Sequence, residues 1–324
     1  MQYNGLENVW TNCRIAKSIS GFCTTKSSLR KSLKLTKIVD SAFEKTGLPC
    51  FICDYSPPRS GVLNNGSPPN IDAHFLSIAH SPGQSVRASS SMVASKIKSL
   101  INQDVIFTIA TRDKNHMALQ SELLGAQLLG LENVIVVRGD PPKHEISTVS
   151  DRTGDLPTTQ VISGISNMNR GRDYREIALD VPSDFCIGAT IDLGRRFTSE
   201  CNLVIRKIES GAHFFITQPV FDITKALNLL ENIQGKIITK NQIPIFFGLQ
   251  ILEPDSISFS KVPITLLDQL QKGKSHLELA VEQYETFRKA GLNNVYLVPP
   301  IKKGGTRNYQ AAIEVLATLK SVML

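Results

Sequence analysis

The sequence predicts the α/β class, a (β/α)8 barrel of the TIM type in one domain. Three observations predict it. Eight short apolar runs recur along the chain, segments of helical period separate most of them, and polar residues gather just past their C-terminal ends. Strands buried on both faces read as continuous hydrophobic runs, and alternation of such strands with helices is the pattern of a parallel sheet.

The runs are PCFICDY (49–55), AHFLSIA (73–79), DVIFTIAT (104–111), NVIVVRG (133–139), DFCIGATI (184–191), HFFITQPVF (213–221), IPIFFGLQI (243–251) and NVYLVPP (294–300). Between them, helical periodicity covers 88–101, 116–129, 198–209, 222–234, 276–290 and 307–322. An open doubly wound sheet is the competing arrangement. Neither GxGxxG nor GxxxxGK[ST] follows any of the runs, which weakens that alternative. Two stretches interrupt the rhythm: 57–70, rich in Pro, Gly and Asn, and 141–181, read as a long link between the fourth and fifth strands. A connection of that length in a compact domain is usually functional. Both follow a strand, so both fall on the C-terminal face, where such barrels place their chemistry. The barrel is expected over residues 36–324, preceded by a basic extension over 1–35.

Charge narrows the function classes. The net charge is +7 over 324 residues. Residues 1–39 hold Arg14, Lys17, Lys26, Arg30, Lys31, Lys34 and Lys37 against the single acid Glu7, so this segment accounts for +6. The remaining chain has no basic footprint for phosphate binding, and nucleic acid is excluded as a partner. The arm resembles an organellar transit peptide in composition, with a solvated arm running into a first helix as the plainer alternative. No apolar run reaches bilayer-spanning length, and a cytoplasmic enzyme is expected. The six cysteines read as reduced thiols. Cys50 and Cys53 form a lone CxxC within an apolar run, where small buried hydrophobes are the expected role. The six histidines lack metal-ligand spacing, and no metal is expected.

Polar groups at the ends of buried strands carry the functional information, because leaving them unpaired inside is expensive. They are Asp54, His80, Thr111, Arg112, Asp113, Arg138, Gly139, Asp140, Asp192, Gln218 and Gln250. Any one alone could cap a helix or face solvent. In a closed barrel they converge on one mouth.

These segments carry recognisable motifs: VIVVRGDPP (134–142), GAHFFITQPVFD (211–222), TRDKN (111–115), DYSPPRSG (54–61), SVRASS (85–90), NRGRD (169–173) and VYLVPP (295–300). In this order they resemble the methylenetetrahydrofolate reductase family, closest to its short single-domain forms and to the reductase half of homocysteine-methyltransferase fusions. The resemblance runs from about residue 36 to the C-terminus. It implies FAD across the barrel mouth and hydride transfer from flavin N5 that reduces 5,10-methylenetetrahydrofolate to 5-methyltetrahydrofolate. NADH or NADPH is the implied electron donor, the folate is the substrate, and a homo-oligomer is expected. By resemblance Asp54 stands where a glutamate supplies or relays a proton, and Asp140 sits between pterin and flavin. Gln218 contacts the pterin, while Thr111, Arg138, Gly139, Asp140, Arg206 and Lys207 hold FAD.

Departures from the family pattern are specific. Asp54 is one methylene shorter than the family glutamate. Ala79-His80 replaces Thr-Asp or Thr-Tyr, and Asp192-Leu193 replaces Asn-Pro. Only EPDSISFSK separates GLQIL from VPITLL, where many members carry a longer helical insert. The short segment weakens the case for direct NAD(P)H use. It motivates an alternative: a folate- or flavin-binding subunit that receives electrons from a partner protein.

Overall fold

The computed structural model describes residues 49–63, 66–112, 114–139, 156–234 and 243–321. The basic extension over 1–35 lies outside the described residues, as do Asp113, Asp140, Cys13 and Cys23.

All eight apolar runs form strands: β1 (Phe51–Tyr55), β2 (Phe75–Ile78), β3 (Val105–Ala110), β4 (Asn133–Val137), β5 (Cys186–Ile191), β6 (Phe214–Pro219), β7 (Ile245–Gln250) and β8 (Val295–Val298). They pair in parallel in sequence order, and β8 returns to β1 through Phe51 opposite Val295 to close the barrel. Eight α-helices occur among the described residues: α1 (Ser90–Ile101), α2 (His116–Leu128), α3 (Thr158–Met168), α4 (Phe197–Glu209), α5 (Ile223–Gln234), α6 (Ile264–Gln271), α7 (His276–Lys289) and α8 (Tyr309–Ser321).

Side-chain alternation along each strand divides the core in two. Ile52, Phe75, Ile106, Ile135, Cys186, Phe214 and Phe246 pack together as the barrel filling. Residues one step out of phase, such as Cys53, Leu76, Phe107, Val134, Ile187 and Phe215, belong to a larger cluster with helix residues Val93, Leu123, Ile165 and Val204. Strands with apolar groups on both faces are the reason the runs looked continuous in sequence. Cys50 faces the filling and Cys53 the helices, so the CxxC is not a paired site. Burial pushes both thiols above their ordinary range.

Two helices escaped the periodicity reading. The stretch 141–181 was expected to be a link, yet it contains α3, whose sequence TTQVISGISNM is poor in strong helix formers. Its buried face, Val161, Ile162, Ile165 and Met168, packs into the outer core and overrides that propensity. Helix α6 (ITLLDQLQ) follows the short segment after β7 and buries only Leu270 fully.

Two histidines have structural roles at the strand starts. His74 Nδ1 accepts from Phe51 N at 3.0 Å, and His213 Nδ1 accepts from Ile187 N at 3.0 Å. Each satisfies a backbone donor that the barrel rim would otherwise leave unpaired.

Candidate active site

The inward positions continue past the apolar filling to a cavity of about 630 Å³ at the C-terminal mouth. Asp54, Ser77, Thr108, Ala110, Ile135, Val137, Thr190, Ile216, Tyr296 and Val298 line it. Most of these share the strand phase of the filling below, so period-two alternation aims them into the same space.

Asp54 stands one inward step above Ile52. Its side chain is almost fully buried, and both carboxylate oxygens have partners. Tyr296 Oη donates to Oδ1 at 2.9 Å, and Arg307 Nε donates to Oδ2 at 2.8 Å. Arg307 is itself buried, with 2% of its side chain exposed against 6% for Asp54. Burial alone would lower the Arg307 pKa, but the charge and hydrogen bond of Asp54 outweigh it and hold the guanidinium above its ordinary value. Burial, reinforced by the neighbouring Asp54 charge, holds the Tyr296 phenol well above the usual tyrosine range. A carboxylate has about four lone-pair sites, of which these two donors use two. The remainder can meet a hydrogen on a ligand in the cavity.

On the opposite side, α4 brings cations to the wall. Arg206 is exposed at the cavity, whereas Lys207 is buried and its Nζ donates to Thr190 O at 2.6 Å. Burial lowers the Lys207 pKa to about 8; Glu200 and Asp192 oppose that shift, and Arg195 adds to it. Glu200 is buried beside this group and accepts from Asp192 N at 3.0 Å, while its Oε2 has no hydrogen-bond partner.

The low Lys207 value has a consequence for stability. Between pH 8 and 10.5 the unfolded chain binds this proton and the folded chain does not, so folding stability rises with pH across that window. The gain is on the order of 3 kcal/mol at roughly 1.4 kcal/mol per pKa unit. Urea denaturation of wild type and Lys207→Met across that window checks this. The rise should be present in wild type and flattened in the variant; parallel curves would refute it.

Gly139 follows Arg138 at φ 87°, and a Cβ there would meet the Arg112 guanidinium at 3.3 Å. A residue with a side chain is therefore disfavoured on both backbone and packing grounds. The bare backbone at this position lies open to the cavity.

Of the residues singled out from sequence, Asp54, Arg138, Gly139, Arg206, Lys207 and Gln218 line the one cavity, with His80, Arg112 and Asp192. Thr111 does not. It follows the end of β3, is fully buried, and its Oγ1 has no hydrogen-bond partner. Gln250 is also spent elsewhere: Nε2 donates to Ile257 O at 2.7 Å, and Oε1 accepts from Ser258 Oγ at 2.6 Å. It thereby anchors the segment after β7 that puts the exposed ring of Phe259 on the cavity.

Among the cavity residues that the sequence reading passed over are Tyr296, Arg307 and Phe259. Tyr296 carried a usable signal, a polar group inside the apolar run VYLV. Phe259 sits in a loop without periodicity. Helical period was read from 307, but α8 begins at Tyr309, so Arg307 precedes the helix and helical spacing gives it no direction.

Comparison with known proteins places the chain. The Methylenetetrahydrofolate reductase family profile matches residues 68–285, about two thirds of the chain. A solved structure of an uncharacterized protein from Clostridium thermocellum, which binds two copies of 5-methyl-5,6,7,8-tetrahydrofolic acid, has the same fold. Its TM-score is 0.58 at 15% identity, covering 88% of this chain and 99% of that one. Protein HIR1 of Candida albicans is 28% identical over 122 residues, 38% of this chain, and the chain spans only 12% of that protein's length. With the matched span running from the loop before β2 into α7, through the strands that build most of the mouth, the chain belongs to the methylenetetrahydrofolate reductase family.

Proposed function

We propose that this chain is an FAD-dependent oxidoreductase that reduces 5,10-methylenetetrahydrofolate to 5-methyltetrahydrofolate. One observation carries the reading: Asp54, Gln218, Gly139, Arg206 and Lys207, picked out by motif from four separate places in the chain, surround one cavity.

The residues present fit a flavin dinucleotide. Arg206 and Lys207 offer two positive charges on one wall, suited to a diphosphate. Ala79, Ala110 and Val137 give a strip of small apolar side chains suited to a flat ring system, and the Gly139 backbone lets that ring approach closely. A reduced flavin bound there supplies the hydride. Asp140 would lie beside Gly139 in sequence and is assigned to the pterin and flavin by motif alone.

The chain's own groups then handle the folate. The Gln218 amide can both donate to and accept from the pterin edge. Asp54 and the Tyr296 hydroxyl form a fixed polar pair that can pass a proton at a folate nitrogen as the methylene bridge opens. The burial of Asp54 limits its own contact with bulk water. Reduced thiols and the composition support a cytoplasmic location.

The test is direct. The purified protein, reconstituted with FAD, should be yellow, and its photoreduced flavin should be reoxidised by 5,10-methylenetetrahydrofolate. A protein that never retains FAD would end the proposal. Anaerobic NADH and NADPH are tried in parallel. Bleaching that requires an added partner protein would favour the electron-accepting subunit instead.

A further inference from the structure

The β6–β7 pairing holds an irregularity beside the cavity. Phe215 pairs with Ile245 and Ile216 with Phe246, but the next partners are Pro219 and Gly248. Two residues of β6, Thr217 and Gln218, thus oppose one residue of β7, Phe247. This is a β-bulge, a feature found next to active sites that re-aims a side chain.

The bulge leans inward. Gly248 stands in the inward phase of β7, two residues beyond Phe246 of the barrel filling. A Cβ at Gly248 would lie 2.6 Å from Gln218 O, 2.8 Å from Gln218 C and 2.9 Å from Pro219 Cα. Backbone therefore occupies the space that a side chain at 248 would take, and Gln218 stands nearer the barrel axis than a regular strand residue could. The Thr217 hydroxyl closes the gap in the ladder. It accepts from Gly248 N at 2.8 Å and donates to Gln218 O at 2.7 Å. Thr217 is almost fully buried, so no water is at hand to make either bond. Regular pairing resumes one step later, with Val220 N donating to Gly248 O at 2.8 Å.

We propose that Thr217 is a positioning residue whose hydroxyl, over the space left by Gly248, holds the bulge that sets the Gln218 amide against the pterin. The inference rests on the folate reading of the cavity and adds to it. Gln218 recognises the pterin only if its backbone is fixed, and a valine at 217 would keep the shape while removing both bonds that fix it.

The test measures 5-methyltetrahydrofolate binding to the full FAD-reconstituted chain by titration. Its arms are wild type, Thr217→Val, Thr217→Ser, Gln218→Ala and the Val/Ala double variant. The 4-amino analogue of the same tetrahydrofolate, which changes the pterin edge, is titrated alongside. Thr217→Val should weaken 5-methyltetrahydrofolate about tenfold, the worth of about one hydrogen bond. It should erode the preference over the 4-amino analogue and leave FAD affinity unchanged, and Thr217→Ser should restore both. In the Gln218→Ala background Thr217→Val should cost no further affinity, the signature of action through Gln218. Thr217→Cys, of similar volume but with weak hydrogen bonding, stands in if the valine variant folds poorly.

Equal losses for both pterins and for FAD, or a full additional loss in the Gln218→Ala background, would overturn the positioning role while leaving the folate reading intact. A wild-type chain that holds FAD and binds neither pterin would overturn both.

Discussion

Asp54→Ala is expected to slow reoxidation of the reduced flavin by 5,10-methylenetetrahydrofolate about 10²- to 10⁴-fold, the usual worth of positioned acid–base assistance. Asp54 lies on the cavity wall opposite the α4 cations, so FAD should stay bound and its reduction should be little changed. Stopped-flow measurement of the two half-reactions separates these effects. Asp54→Asn is the informative companion. Its amide oxygen can accept from Arg307 while its NH2 group donates to Tyr296 Oη, but it carries no charge and takes no proton. It should therefore remain slow, with some stability lost because Arg307 keeps its buried charge. Equal rates for Asp54→Ala and wild type in the oxidative half-reaction would remove Asp54 from the mechanism. Asp54→Glu adds one methylene, which the Arg307 and Tyr296 contacts at 2.8 and 2.9 Å leave little slack to absorb. Since a displacement near 1 Å can cost about a hundredfold, the glutamate found elsewhere in the family is expected to work poorly here.

Arg307→Met should destabilise the fold by about 3–5 kcal/mol, because removing one member of a buried pair strands the other charge. The pair is nearly sealed, with 2% and 6% side-chain exposure. Burial of Arg307 is tied to the chain after β8. Its Nη1 donates to Gly305 O at 3.0 Å, and Ile301 bridges both Ile257 and Arg307. The stranded charge, rather than lost packing, is the expected source of most of the cost. Asp54→Asn removes that charge in advance, so Arg307→Met in this background should cost far less. Denaturation midpoints for the four proteins of this cycle provide the check. A penalty of the same size in both backgrounds would assign the loss to packing and refute the electrostatic account.

These two expectations show where sequence reading reached its limit. Asp54 was found because it ends an apolar run before Pro57-Pro58, a local pattern. Its partner Arg307 lies 253 residues away in a loop, and nothing in spacing or composition marks it. Gln218 was found in the same way, as a polar residue in an apolar run, whereas the bulge beneath it depends on how β7 pairs alongside. Thr111, which its motif assigns to the cofactor, is not among the residues lining the cavity and is fully buried just past β3. Helix α3 was missed because its residues are individually poor helix formers and only burial of its apolar face supports it.

The sequence by itself determined the eight strands, their parallel order and the face on which chemistry gathers. These follow from local patterns: runs apolar on both faces, helical periods between them, and polar residues where each run stops. Tertiary structure alone decided which polar groups meet. Closing the barrel brings β8 beside β1, and with it Tyr296 and Arg307 onto Asp54. Hydrogen bonds and ion pairs act over about 3 Å, and separation along the chain carries no record of which distant residues closure will bring within that reach.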